Sequence, residues 1–259
     1  MLLESRVDTS STVPFDRVAQ TYDSTRDLPA EVMTPIIDCM QDMLVGCATM
    51  LDVGVGTGRF ALPLGEKGLQ VIGVDISVPM MQKAKSKGLR DLVRGDARIL
   101  PFQNHKFDAV LLVHLLHLVD DWIRIVHEVG RASSKLVMAV ISTPWGNPIR
   151  HDYLKLREEM GRPLKRLNQA EKDLSLLVPP NQIRHAIEHT STRNAETAIA
   201  SLDRGDFAIS WDLPKDLHLK IIERLRSKYG QKDYSSKYVY EVVAWTPQQL
   251  RGFQAQPKA

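Results

Sequence analysis

The run Leu51-Asp52-Val53-Gly54-Val55-Gly56-Thr57-Gly58-Arg59-Phe60 restricts the fold of this chain more than any other feature, because an apolar strand breaks there into a glycine-rich turn and resumes as a helix. Glycine tolerates positive φ and has no Cβ, so such a turn bends sharply and lets a ligand approach the main chain. A dinucleotide fingerprint, G-x-G-x-x-G, needs glycine at position 59, where this chain has Arg59; its third glycine is Gly58. Asp52 at the mouth of the turn would repel a pyrophosphate, whereas it can accept hydrogen bonds, directly or through water, from an ammonium group.

The rhythm around this turn sets the fold class. Apolar runs at 50–53, 71–74, 107–113 and 136–141 read as strands, and 59–67, 79–87 and 121–131 between them are helix-compatible. The runs are too continuously apolar to keep one face wet, which predicts a parallel sheet covered by helices on both sides. Ser77 suits a helix N-cap, with Pro79 in the first turn. Asp75 follows Gly58 by 17 residues, the span of one helix and a returning strand, so it arrives beside the glycine turn. A carboxylate there suits the two hydroxyls of a ribose. Asp96, in Arg94-Gly95-Asp96-Ala97 after the third strand, can accept from an adenine amino group.

Taken together, Asp52-x-Gly54-x-Gly56-x-Gly58, Val74-Asp75, Gly95-Asp96-Ala97 and Leu100-Pro101-Phe102 before Phe107-Asp108 resemble the successive motifs of class I S-adenosylmethionine (SAM)-dependent methyltransferases. The pattern is most similar to the ubiquinone/menaquinone-biosynthesis and biotin-pathway subgroup, whose N-terminal signature is matched by Phe15-Asp16-x-x-Ala19-x-x-Tyr22-Asp23. The resemblance implies a Rossmann-like α/β fold, with a seven-stranded, mostly parallel sheet of order 3-2-1-4-5-7-6, 237–245 as the antiparallel strand and a helical lid inserted. It implies SAM as cofactor, with S-adenosylhomocysteine as product. Gly54, Gly56 and Gly58 would hold the methionine moiety with Asp52, Asp75 and Ile76 the ribose side, Asp96 and Ala97 the adenine, and Tyr22 would close the methionine end. His114 falls where family members face the methyl group, and His117 lies one helical turn on. Both are candidate catalytic residues, His114 with an ordinary pKa near 6.5 that suits a general base; the other reading is that they only orient or pack. The family's L-K-P-G-G turn is replaced here by Gly130-Arg131-Ala132-Ser133-Ser134-Lys135, a structural departure.

The remaining sequence narrows function by exclusion. The length, 259 residues, suits a single domain, with 1–47 as a cofactor-closing segment, 48–142 as the SAM-binding core, 143–236 as a helical substrate lid and 237–245 as the last strand. Apolar residues at 43% and charged at 25% describe an ordinary globular chain, and no apolar run is long enough for a bilayer, which leads us to expect a cytoplasmic protein without membrane partners. Cys39 and Cys47 have no metal-spaced partners and read as structural; no metal is expected. A net charge of +3, with basic stretches interrupted by Glu171, Asp173, Asp216, Glu223 and Asp233, argues against nucleic acid.

Stripes at Ile149, Tyr153, Leu156 and Met160, and at Leu217, Ile221, Leu225 and Tyr229, predict amphipathic lid helices, and 183–192 is a further strand candidate. Trp145, His151, Tyr153, Asp206, Trp211 and Tyr240 are candidate pocket residues for a small-molecule methyl acceptor, since each offers an apolar surface or a polar edge. Three readings stay open: a small-molecule O-, N- or C-methyltransferase, an RNA or protein methyltransferase, and a SAM-binding protein without catalysis. A homodimer is compatible with each.

Overall fold

A computed structural model describes residues 15–164 and 170–254, apart from the side chains of Trp145 and Ala170. The first fourteen residues of the expected closing segment therefore lie outside the described residues. In chain order the helices are α1 Tyr22–Arg26, α2 Ala30–Met43, α3 Ala61–Glu66, α4 Val78–Ser86, α5 Trp122–Ala132, α6 Pro148–Glu159, α7 Ala170–Leu177, α8 Ala195–Asp203, α9 Lys215–Tyr229 and α10 Pro247–Arg251. The strands are β1 Thr49–Val53, β2 Gln70–Asp75, β3 Leu92–Arg94, β4 Phe107–Leu112, β5 Ser133–Trp145, β6 Gln182–Asn194 and β7 Asp233–Trp245.

The seven strands form one sheet in the order β3-β2-β1-β4-β5-β7-β6. β1 pairs in parallel with β2 and β4, β2 with β3, and β4 with β5, while β7 runs antiparallel to both β5 and β6. This is the expected order, with β7 as the antiparallel strand. Successive side chains of a strand point to opposite faces. Leu51, Val53, Val110, Leu112, Val137 and Ala139 accordingly pack on one face against Ile125, Val126 and Val129 of α5. Met50, Ala109, Leu111, Met138 and Val140 pack on the other against Ile36 and Met40 of α2 and Leu64 of α3. The chain runs from β1 outward to β2 and β3, then crosses back from β3 to β4 on the other side of β1, and ligands of open α/β sheets bind at the carboxyl ends of strands beside such a switch point.

Three local features differ from expectation or sharpen it. α5 passes into β5 with no intervening turn, from Ala132 to Ser133, because Ser133 Oγ donates to the Leu136 carbonyl and no turn glycine is needed. Gly130 instead serves packing: a Cβ there would lie 3.0 Å from the Pro247 carbonyl oxygen and 3.1 Å from the Arg251 nitrogen of α10. β5, β6 and β7 are each 13 residues long, longer than their apolar runs suggested, because ladder pairing carries them outward as far as Trp145–Lys237 and Asn194–Asp233.

Beyond the sheet, α6, α8 and α9 form a separate apolar core of Ile149, Tyr153, Ile199, Leu202, Ile221, Ile222 and Leu225. Arg157 is buried beneath it, at 1% exposure, and its guanidinium is satisfied by the Ile209 carbonyl and by both Asp212 oxygens at 2.9 and 2.8 Å. Residues 143–236 thus hold three packed helices together with the edge strand β6, where sequence alone suggested a chiefly helical insert.

Candidate cofactor site

β1 ends on Asp52 and Val53, and the chain then takes positive φ at Gly54, Gly56 and Gly58 (74°, 54° and 81°). At Gly54 a Cβ would also sit 3.1 Å from the Leu115 side chain, so side-chain space and conformation both favour glycine. The Gly56 N–H donates to Asp75 Oδ2 at 2.7 Å and the Ser77 N–H to Oδ1 at 2.8 Å, which fixes the carboxylate at the end of β2. Burial pushes the Asp75 carboxyl up, these backbone donors pull it back down, and neighbouring Asp16 adds to the rise. Two accepted bonds leave further lone pairs for hydroxyl donors. Ser77 caps α4 as expected, accepting from the Met80 N–H, and its own hydroxyl donates to Asp16 at 2.6 Å.

A cavity of about 360 Å3 opens here, within the range of small-ligand sites. Tyr22, Gly54, Gly56, Asp75, Ile76, Asp96, Ala97 and His114, all expected at the cofactor, line it together. Asp52 and Gly58 do not. Asp52 is 5% exposed behind the turn, and burial, with Asp75 beside it, raises its carboxyl to about 7 against the pull of Arg59. Gly58 is turned toward Leu62 and Ala84, where a Cβ would be 3.3 Å and 3.5 Å away, so it shapes the turn from behind.

The cavity's far end is ordered by an ion pair that sequence did not show. Arg98 grips Asp96, with Nε 3.0 Å from each oxygen and Nη2 2.6 Å from Oδ2, leaving Asp96 little capacity for a further donor. Arg94 also lines this cavity, and its buried Nε has no hydrogen-bond partner in the protein. Val74, Met80, Leu118 and Val119 complete an apolar slot. A carboxylate for two hydroxyls, an apolar slot and a glycine turn fit an adenine nucleoside carrying an amino-acid tail.

The N-terminal strip lies over this turn. Thr57 donates to Asp23 at 2.5 Å, Lys83 to the Gln20 carbonyl at 2.8 Å, Lys87 to Asp23 at 3.1 Å and Arg59 to the Arg26 carbonyl at 2.6 Å. Burial would raise the Asp23 carboxyl, but Thr57 and Lys87 outweigh it and hold it below its usual value. On its outer side the strip touches the lid: Phe15 meets Trp211 edge-on at 5.1 Å, Arg17 lies over the same ring at 4.9 Å, and Arg26 lies over Tyr22 and Phe207 at 4.8 and 4.9 Å.

His114 adopts φ 55°, an uncommon left-handed conformation for a non-glycine residue. Glu171 of α7 holds the following backbone, accepting from the Leu115 N–H at 2.8 Å and the Leu116 N–H at 3.4 Å. Sequence reading missed this role, since Glu171 lies 55 residues from Leu116 and read only as an acidic break in a basic stretch. His114 lines the cavity and is itself exposed; the protein around it, with the charge of Arg59, neighbouring His117 and the charge of Arg26, lowers its pKa below the ordinary value near 6.5 and favours the neutral imidazole. His117 packs edge-on to it, 6.4 Å between ring centroids, and is not part of the cavity lining.

The expected acceptor residues are not gathered. Tyr153 is fully buried in the lid core, with its hydroxyl 2.8 Å from His218 Nδ1; Tyr240 is 7% exposed in the sheet core; His151 points outward from α6. Trp211 packs against the N-terminal strip and donates to the Gly205 carbonyl, and buried Asp206 pairs with Arg204 at 2.8 Å. None of these five lines the cavity, and the Trp145 side chain lies outside the described residues. The physical reason is that aromatic bulk closes a small helical core as readily as it walls a pocket. Among the described residues no cluster of three or more metal-ligating side chains occurs, and no helix is long and apolar enough to cross a membrane.

Comparison with known proteins agrees with this geometry. Residues 51–135 match the family described as "Methyltransferase domain". The chain is similar to a demethylmenaquinone methyltransferase of Renibacterium salmoninarum, 33% identical over 148 residues, covering 54% of this chain and 62% of that protein. It is also similar to the biotin biosynthesis bifunctional protein BioHC of Cellvibrio japonicus, 30% identical over 131 residues, covering 50% of this chain and 26% of that protein. The chain thus spans less than two thirds of either relative. In fold it resembles the YcgJ protein of Bacillus subtilis, with a TM-score of 0.54 at 18% identity over 84% of this chain and 99% of that one. Motifs, sheet order and relatives agree: residues 51–135 match the methyltransferase-domain family, on a sheet of the order expected from the class I, SAM-dependent resemblance.

Proposed function

We propose that the whole chain transfers a methyl group from SAM to a small organic acceptor. The observation that carries this reading is the cavity at the strand ends, lined by Asp75, which is held by two backbone donors, together with Gly54, Gly56 and His114. When bound, SAM supplies an electrophilic methyl on a sulfonium, so the leaving group needs no activation and alignment of the acceptor becomes the protein's main task.

In this reading Asp75 accepts from the ribose hydroxyls, and the slot of Ile76, Met80, Ala97 and Leu118 takes the adenine. The positive charges of Arg59 and Arg26, felt at His114, suit the carboxylate of the methionine end, while Asp52 behind the turn balances its ammonium. Residues 48–142 would thus bind the cofactor, the strip within 1–47 would close over it and the lid within 143–236 would choose the acceptor. His114 orients the acceptor as a neutral hydrogen-bonding group; an imidazole whose pKa is lowered is a weaker proton acceptor at neutral pH. Names of relatives add a quinone precursor as one candidate chemistry, since demethylmenaquinone methyltransferases recur among them.

The test is incubation of the full chain with methyl-labelled SAM and a small-metabolite extract, followed by identification of the labelled compound. A labelled molecule of low molecular mass is the expected result. Label entering only RNA or protein, or none at all despite measured SAM binding, would overturn the reading.

A further inference from the structure

A second cavity, of about 530 Å3, shares no lining residue with the first and lies between α1, α6, α8 and the end of β6. Its floor is apolar, from Ile149, Leu202 and Ile209 of the lid core. Its charged lining is mostly basic: Arg150, Arg193 and Arg204 line it with the carboxylate of Asp27, and Arg204 is paired to Asp206 just outside the lining. Burial depresses the Arg150 pKa, against a smaller opposing influence from Tyr238. Arg204 is fixed in place by Asp206 and by Ser201 Oγ at 2.9 Å.

The two helices that begin at this cavity do not supply the attraction. Asn147 Oδ1 already accepts from the Arg150 N–H at 3.0 Å and Asn194 Oδ1 from the Glu196 N–H at 3.1 Å, so their first turns are capped from within. The charge available to a ligand comes from side chains. A positively charged rim above an apolar floor is complementary to an amphipathic anion.

Position gives the cavity a role. α1 is a wall common to both cavities: Tyr22 lines the first, Ser24 and Thr25 line the second, and Arg26 lies between the Tyr22 ring of one and the Phe207 ring of the other. We propose that the second cavity holds the anionic end of the methyl acceptor, a carboxylate or phosphate on an apolar body. The acceptor role rests on the methyltransferase reading above; the anion site does not.

Calorimetry on the full chain tests the site with phenyl phosphate, benzoate and, as a neutral probe of similar shape, benzyl alcohol. Either anion should bind at least about tenfold more tightly than benzyl alcohol, and the tighter of the two identifies the headgroup. Arg150→Gln and Arg193→Gln should each weaken that binding about tenfold while changing S-adenosylhomocysteine affinity less than about twofold. Arg193 is exposed, so its variant keeps the test decisive if Arg150→Gln fails to fold. Asp75→Ala should do the reverse. Neither anion binding at about 10 mM, benzyl alcohol binding equally well, or wild-type anion affinity in folded Arg193→Gln would overturn the site. Anion binding that responds as expected in a chain that fails to bind S-adenosylhomocysteine would leave the site standing and remove the methyltransferase reading instead. In the labelling assay the methylated compound should carry a carboxylate or phosphate, or an ester of one; a labelled compound with neither overturns the acceptor role.

Discussion

The sheet end and the lid both enclose a cavity, yet they do so by different means. At the sheet end the cavity includes Gly54, Gly56, Asp75, Gly95 and Asp96, set by strand register and turn geometry. The second cavity is bounded by α1, the end of β6 and helices that share a core of their own, through Tyr153, Ile199 and Leu225. A site fixed by register tolerates little variation and keeps its ligand. A site on a separately packed insert can change its lining while its core stays intact, which is the arrangement expected where one cofactor must serve many acceptors.

If that contrast is right, damage to one region should be felt weakly in the other. The largest effect is expected from Tyr153→Ala, which empties a fully buried aromatic site: about 3–5 kcal/mol of stability, with faster hydrogen exchange confined to α6, α8 and α9. S-adenosylhomocysteine affinity should hold within about 0.5 kcal/mol, and a larger loss would show that the two regions are one cooperative unit. Asp75→Ala is next, with about 1.5–3 kcal/mol lost per charge-assisted bond by calorimetry and the lid's exchange unchanged.

Arg26→Ala probes the join. It removes stacking on Tyr22 and Phe207 and should cost about 1–2 kcal/mol of cofactor affinity, since the strip loses its contact with the lid. No change would mean that the strip closes without the lid's help. The smallest expected effect concerns pH. With the folded His114 pKa lowered below an unfolded value near 6.5, the neutral ring's contribution to stability is present above about 6.5 and is lost as pH falls through the lowered value. Between pH 7 and 9 that ring does not titrate, so the methyl-transfer rate should show no inflection due to His114, and His114→Ala should lower it less than about tenfold. An inflection near 6.5 that disappears in His114→Ala would restore the general-base role.

How far the site could be read from sequence follows the same division. Asp75, Asp96 and the glycine turn were legible because a parallel strand places its last residue at the sheet's carboxyl edge, whatever the helices do. Glu171 and Arg98 were not, since each acts through a contact that only packing or a local turn creates. Tyr153 and Tyr240 pack in apolar cores and do not line the cofactor cavity, a placement the sequence left open because an apolar residue states that a face is covered and not by what.

By itself the sequence determined the α/β class, the cap at Ser77 and the strand ends where the cofactor is expected, consequences of short-range pattern and of steric rules for glycine, while the sheet order came from the family resemblance of its motifs. Tertiary structure alone decided that Asp52 and Gly58 stand outside the cavity lining, that Arg94 joins it and that the surroundings of His114 lower its pKa. It also decided that three arginines scattered over 55 positions line one cavity. The reason is range: hydrogen-bonding patterns and backbone preferences act between near neighbours, whereas desolvation and charge depend on every atom the fold brings within a few ångströms.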